Sequence, residues 1–256
     1  MLAELYQELF KLNHRKLSWL IMLLMPLYML VIGFAMGRVY SSLLVMSCYD
    51  VSTVIMLILI IVGSTIFSME FQNGTIINLM YHTNSRATVF FAKFLALLLY
   101  DVLLHVVAMV ITVLLNIVPL INSPVSWTGI YKYHQPLVVN MFMHAGVDMV
   151  STGLIVSLIC LVSCLINSNA IVIAVNALFI FMSSGLSTNL LMAHVGPSKI
   201  IRWNPFNMIN LTDQYHNYAT YHLTTMLSTN QLLVGTLCYT ALFTLIGYLI
   251  FRKKHF

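Results

Sequence analysis

Two groups of residues in this sequence have the types and spacing to do chemistry. The first is Asp101 with His105, and His144 with Asp148. Each pair is spaced i, i+4, which puts both side chains on one face of a helix. All four stand in apolar stretches, where an ionisable side chain marks either a function or a structural pair. Imidazoles among carboxylates can join two helices, line or relay along a path through a membrane, or ligate a metal ion as two His and two Asp. All three readings stay open, although no other ligand spacing supports the metal. A protonated His105 or His144 would pair with an aspartate, which would make the cluster respond to pH.

The second group lies in "FSMEFQNGTIINLMYHTNSRATVFFAKF", residues 67–94. Glu70 is followed by Gly74 and Thr75, then by the apolar residues Ile76, Ile77, Leu79 and Met80, then by Arg86 and Lys93. Gly74 permits a sharp change of backbone direction. Thr75 can cap a short helix, and Ile76, Ile77, Leu79 and Met80 give that helix one apolar face over about two turns. Glu70 favours its positive end, or pairs with Arg86 or Lys93. A short amphipathic helix with apolar knobs presented outward suits it to receive a push from a soluble partner.

The elements that must position these residues are set by composition. Of 256 residues, 60% are hydrophobic and only 7% charged, too few for a solvated surface on a chain of this length. The fold class expected is an all-α integral membrane protein. Six segments near the roughly 20 apolar residues that span a bilayer fall at 18–37, 51–69, 88–118, 138–165, 170–187 and 231–251. Backbone groups find no water in lipid, so these spans are helices. Residues 1–17 place Leu2, Leu5, Tyr6, Leu9 and Phe10 on one face, with Glu4, Gln7, Glu8, Lys11 and Arg15 mostly on the other. That is an amphipathic helix suited to the membrane interface.

With a cytoplasmic amino terminus, Lys11, Arg15, Lys16, Arg86, Lys93, Arg252, Lys253 and Lys254 lie inside. Only Arg38, Lys132, Lys199 and Arg202 lie outside. This basic-inside bias puts both termini in the cytoplasm. Outside, residues 119–137 carry Pro119, Pro124, Trp127, Tyr131 and Tyr133, an aromatic interfacial loop. Residues 188–230 read as short helices dipping into the outer leaflet, broken at Asn204-Pro205. Gly33 and Gly37 form a GxxxG that packs helices, within one chain or between two. The cysteines Cys48, Cys160, Cys164 and Cys238 show neither zinc spacing nor a disulfide framework. No removable signal peptide is expected, nor a nucleic-acid-binding stripe. The chain reads as one membrane domain, 1–256.

The pattern Glu70, Gly74, Thr75, an apolar helix, Ser85-Arg86 and Lys93, set between spans two and three, resembles the type 2 ABC exporter permeases of bacteria. So do the amphipathic amino-terminal helix, the six spans, and Asn204-Pro205-Phe206 before the last span. The resemblance implies that residues 75–84 are a coupling helix seated in a nucleotide-binding subunit, and that Asn204, Pro205 and Phe206 belong to an outer re-entrant gate. It also implies two ATPase subunits, a second permease subunit of the same or a different chain, and a place in the bacterial cytoplasmic membrane. No G-x-x-x-x-G-K-[ST] phosphate loop is present, so ATP and Mg are expected in the partner and no cofactor in this chain.

In character the chain is closest to permeases that expel antimicrobial or cytolytic peptides, including the phenol-soluble modulin type. Sparse charge and seventeen methionines suit a hydrophobic or amphipathic cargo. Drugs, lipid-linked glycans and ions are alternative cargoes. Two other classes remain: an intramembrane metal-dependent enzyme built on Asp101, His105, His144 and Asp148, and an immunity protein acting by binding alone.

Overall fold

The computed structural model describes residues 1–36, 39–82, 85–117, 125–193 and 198–254. Gly37, Arg38, Pro119 and Pro124 lie outside the described residues. Helix follows helix along the chain: α1 (Leu2–His14), α2 (Lys16–Met22), α3 (Leu24–Met36), α4 (Ser41–Met46), α5 (Ser52–Gln72), α6 (Thr75–His82), α7 (Arg86–Ile117), α8 (Leu137–Leu165), α9 (Asn169–Met192), α10 (Ser198–Ile201), α11 (Pro205–Met208), α12 (Leu211–His216), α13 (Tyr218–Thr225) and α14 (Thr229–Lys253). The fold is all-α, with no named strand among the described residues.

Among the described residues, six stretches are long and apolar enough to cross a bilayer: Lys16–Met36, Ser52–Gln72, Arg86–Ile117, Leu137–Leu165, Asn169–Met192 and Thr229–Lys253. Each coincides with an expected span to within a few residues. The first is interrupted at Leu23, between α2 and α3. Pro26 explains the break, because it has no N–H for the Met22 carbonyl one turn back.

The apolar windows of α5 and α8 are each 72% buried, against 17% in α14, so α5 and α8 form the centre. Around them pack α7, α9 and α14, with α1 against α7 and α12 against α8. Phe67 of α5, Phe90 of α7 and Phe251 of α14 meet at one end, with ring centroids 5.7 Å apart for both Phe67–Phe90 and Phe90–Phe251. That end also carries α1 and α6; we call it the near end. The other end carries α4 and the short helices α10–α13. Gly33 is buried within the chain, so its side of the GxxxG packs internally.

The turn before α5 was not foreseen. Cys48, Tyr49 and Asp50 all have positive φ, at 50°, 58° and 56°, a left-handed turn without a glycine. Such a conformation disfavours L-residues by about 1–2 kcal/mol each. The buried Tyr49 ring and the Ser47 Oγ that accepts from the Asp50 N–H help hold it.

Candidate functional site

At the near end, α5 stops at Gln72 and Gly74 reverses the chain with φ +67°. A Cβ there would meet nothing within 4 Å, so glycine is required by the backbone angle and not by space. The helix that follows starts at Thr75, so the cap position falls to Gly74 and Thr75 is its first residue. The orientation of α6 differs from expectation. Ile76 is buried, and Leu79 and Met80 pack against the core. Ile77 and Tyr81, one turn apart, are exposed. The inward residues anchor α6, and the outward face consists of Ile77 and Tyr81.

Beneath α6 lies a closed square of charge. Lys93 of α7 sits 3.0 Å from Glu8 of α1 and 2.8 Å from Glu70 of α5. Lys11 of α1 closes the square at 2.7 Å from Glu8 and 2.8 Å from Glu70. Lys93 is 1% exposed and also donates to the Ile66 carbonyl at 3.3 Å. Burial opposes the charge on Lys11, yet its hydrogen bonds to Glu70 and Glu8 hold its pKa above the ordinary lysine value. The expected Glu70–Lys93 pair is present.

Glu8 and Lys11, read from sequence as a polar face, instead fasten the amino-terminal helix to α5 and α7. Arg86 does not join the square. Its guanidinium donates to the Arg252 and Lys254 carbonyls at 2.6 and 2.9 Å, tying the start of α7 to the end of α14. Between α1 and α6 runs an open groove of about 490 Å³, with Gln7, Lys11 and Arg15 on one wall and Asn73, Thr75 and Leu79 on the other.

Toward the far end, the expected four-residue polar cluster is revised. His105 Nε2 lies 3.0 Å from Asp148 Oδ2, and His105 Nδ1 lies 2.9 Å from the Asp101 carbonyl and 3.2 Å from its carboxylate. Thr152 donates to Asp101 at 2.7 Å, and Thr212 donates to Asp148 at 2.9 Å. The network therefore joins α7, α8 and α12. His144 stands apart, its ring 6.2 Å from Tyr215 and 5.8 Å from His216. Both ring nitrogens of His105 face oxygen acceptors, and among the described residues no three His, Cys, Asp or Glu are disposed to share a metal ion. Thr152 continues the 144–148 spacing by one more turn, a signal that was legible; Thr212 gave none.

The outer helices are cross-bonded. Asn204 caps α11 by accepting from the Asn207 N–H at 2.9 Å, Pro205 takes the first helical position, and Phe206 stacks on Phe179 of α9 at 6.0 Å. Asn207 Nδ2 donates to the Arg202 and Thr225 carbonyls at 2.7 and 2.9 Å. Gln214 bonds the Leu227 carbonyl at 2.9 Å and accepts from Thr225.

Residues 5–184, well over half of the chain, match the family described as "ABC-2 family transporter protein". This chain belongs to the ABC-2 transporter family. It is a multi-pass membrane protein and the transport subunit of an ABC system, which works with ABC ATPase subunits. No curated protein matches it.

Proposed function

We propose that α6 is the coupling helix of this permease and that its exposed Ile77 and Tyr81 seat in a groove of the ATPase. The observation that carries this reading is the charge square beneath α6. Four side chains from α1, α5 and α7 lock together at the base of the helix, so a push on α6 is delivered to two spans and the amino-terminal helix at once. Glu70, Gly74, Thr75 and Arg86 set the angle of α6, while Ile76, Leu79 and Met80 bind it to the core. ATP and Mg are handled by the partner, in two copies, beneath a pair of permease subunits of one or two kinds.

In this reading the near end is cytoplasmic, with both termini, in a bacterial cytoplasmic membrane. The cargo is hydrophobic or amphipathic, most simply an antimicrobial or cytolytic peptide drawn from the lipid and exported. The far-end helices, with Asn204, Pro205 and Phe206, gate its release. The Asp101, His105 and Asp148 network, flanked by His144, stands beside that path. Sparse charge across the spans supports such a cargo.

Purification of tagged protein from native membranes in mild detergent tests the joint. An ABC ATPase should accompany the wild type, be lost with Ile77→Asp or Tyr81→Asp, and persist with Leu103→Ala on α7. An ATPase that stays bound to both Asp variants would overturn the assignment of α6.

A further inference from the structure

The far end holds a cavity of about 170 Å³ between α5, α8, α9 and α12. That is far above the roughly 10–15 Å³ one water needs. Ten of its fourteen lining residues are of polar type, unusual for a space among apolar spans, and its charged residues, among those described, are the acids Asp148 and Asp213. No Lys, Arg or His lines it; His105 engages Asp148 Oδ2 from outside the lining.

Two hydroxyls on its walls have their protons committed elsewhere. Thr212 gives its proton to Asp148 Oδ1, and Ser183 gives its own to the Ile180 carbonyl at 2.6 Å. Each hydroxyl carries one donor, so these oxygens can offer only lone pairs to the cavity. Ser151, 4% exposed, lines the same space, and its Oγ has no partner there. A buried hydroxyl without a partner has given up its bonds to water and regained none. Carboxylates and acceptor oxygens around a space larger than a bare ion call for a cation that carries several N–H donors.

We propose that this cavity binds a primary ammonium group, placed between the Asp148 and Asp213 carboxylates and donating to the Ser151, Ser183 and Thr212 oxygens. On the permease reading above, the ammonium belongs to the cargo, which makes the exported class cationic at one end and apolar at the other. The binding itself needs neither the ATPase nor transport, so it stands or falls separately from the role of α6.

The test is calorimetric titration of the full chain in lipid nanodiscs with n-butylammonium, against empty nanodiscs. Saturable binding is expected, about tenfold or more tighter than for 1-butanol or butyltrimethylammonium, which lack the charge or the N–H donors. Asp213→Asn and Ser151→Ala should each weaken it about fivefold or more, with elution as a folded particle unchanged. The proposal is overturned by absent saturation, by equal affinity for the trimethylated probe, or by indifference to both substitutions. Abolition when sodium replaces potassium would also overturn it, reassigning the cavity to an inorganic cation.

Discussion

The two ends of the molecule use opposite chemistry to hold their helices. All three glutamates, Glu4, Glu8 and Glu70, lie at the near end, each paired with a cation: Glu4 with the amino terminus at 2.6 Å, the others with Lys11 and Lys93. All four aspartates, Asp50, Asp101, Asp148 and Asp213, lie toward the far end, where most of the joints are made by hydroxyls, amides and imidazoles. Charge balanced within a closed square gives a stiff joint, because a buried ion left alone is far costlier than the pair. Separate hydrogen bonds, most of them outside the Asp101–His105–Asp148 network and between neutral groups, divide into many smaller increments that can be exchanged one at a time. The near end therefore suits the transmission of a push, and the far end suits rearrangement around a guest.

The sharpest way to break this contrast is Lys93→Met. It leaves Glu8 and Glu70 with only the half-exposed Lys11, and about 3–5 kcal/mol of stability should be lost. Thermal unfolding followed by size-exclusion would show it, and adding Glu8→Gln to Lys93→Met, which leaves the balanced pair Glu70–Lys11, should recover part of the loss. A destabilisation below about 1 kcal/mol would mean that the square is not a stiff joint.

At the far end, Asn207→Ala strands two carbonyls and should remove about 1–3 kcal/mol by the same assay, less than Lys93→Met. Gly74→Val places a β-branched residue at φ +67° and should cost about 1–2 kcal/mol, with ATPase stimulation by the permease lost before the fold is. Gly74→Asn, which tolerates that angle, should keep stimulation. Stimulation by both variants at the wild-type level would detach the angle of α6 from coupling.

A subtler test uses pH. Burial, then the Asp50 and Asp148 carboxylates, raise Asp213 to about 6, and Tyr221 also faces it. Protonated below that value, Asp213 is neutral and attracts no cation; above it, the acid is charged. Butylammonium affinity should therefore rise about tenfold between about pH 5 and pH 7, and the rise should vanish in Asp213→Asn. The smallest effect expected is Asn204→Ala, about 1 kcal/mol from one lost helix cap.

The spans were legible because bilayer thickness imposes their length, and only Pro26 interrupted one. The short helix after Gly74 was legible for the same local reasons, but its facing was not. Ile76 and Ile77 are equally apolar, and only packing decides which turns inward. Half of the charge square could be read, since Glu70 and Lys93 flank one loop. Glu8 and Lys11 could not, because a polar stripe on an amphipathic helix looks alike whether it meets water or a neighbour. In the far-end cluster, the i, i+4 spacing identified the helix faces but gave no rotation between helices, which is why His144 falls outside the network. The left-handed turn at Cys48–Asp50 has neither glycine nor asparagine to announce it.

The charge square also constrains how the chain is made. Lys93 lies near the start of a span, where an unpaired lysine disfavours insertion, though by less than the roughly 2.5–3.5 kcal/mol it would at the helix centre. Glu8 is synthesised first but has nothing to dock on until α5 and α7 exist. Of the three contacts between helices, only Lys11–Glu70 can form before α7 is made, so the square closes only when Lys93 is in place. Until then Glu8 lacks its buried partner, so variants at Glu8 would be expected as substrates of membrane quality control before they appear as transport defects.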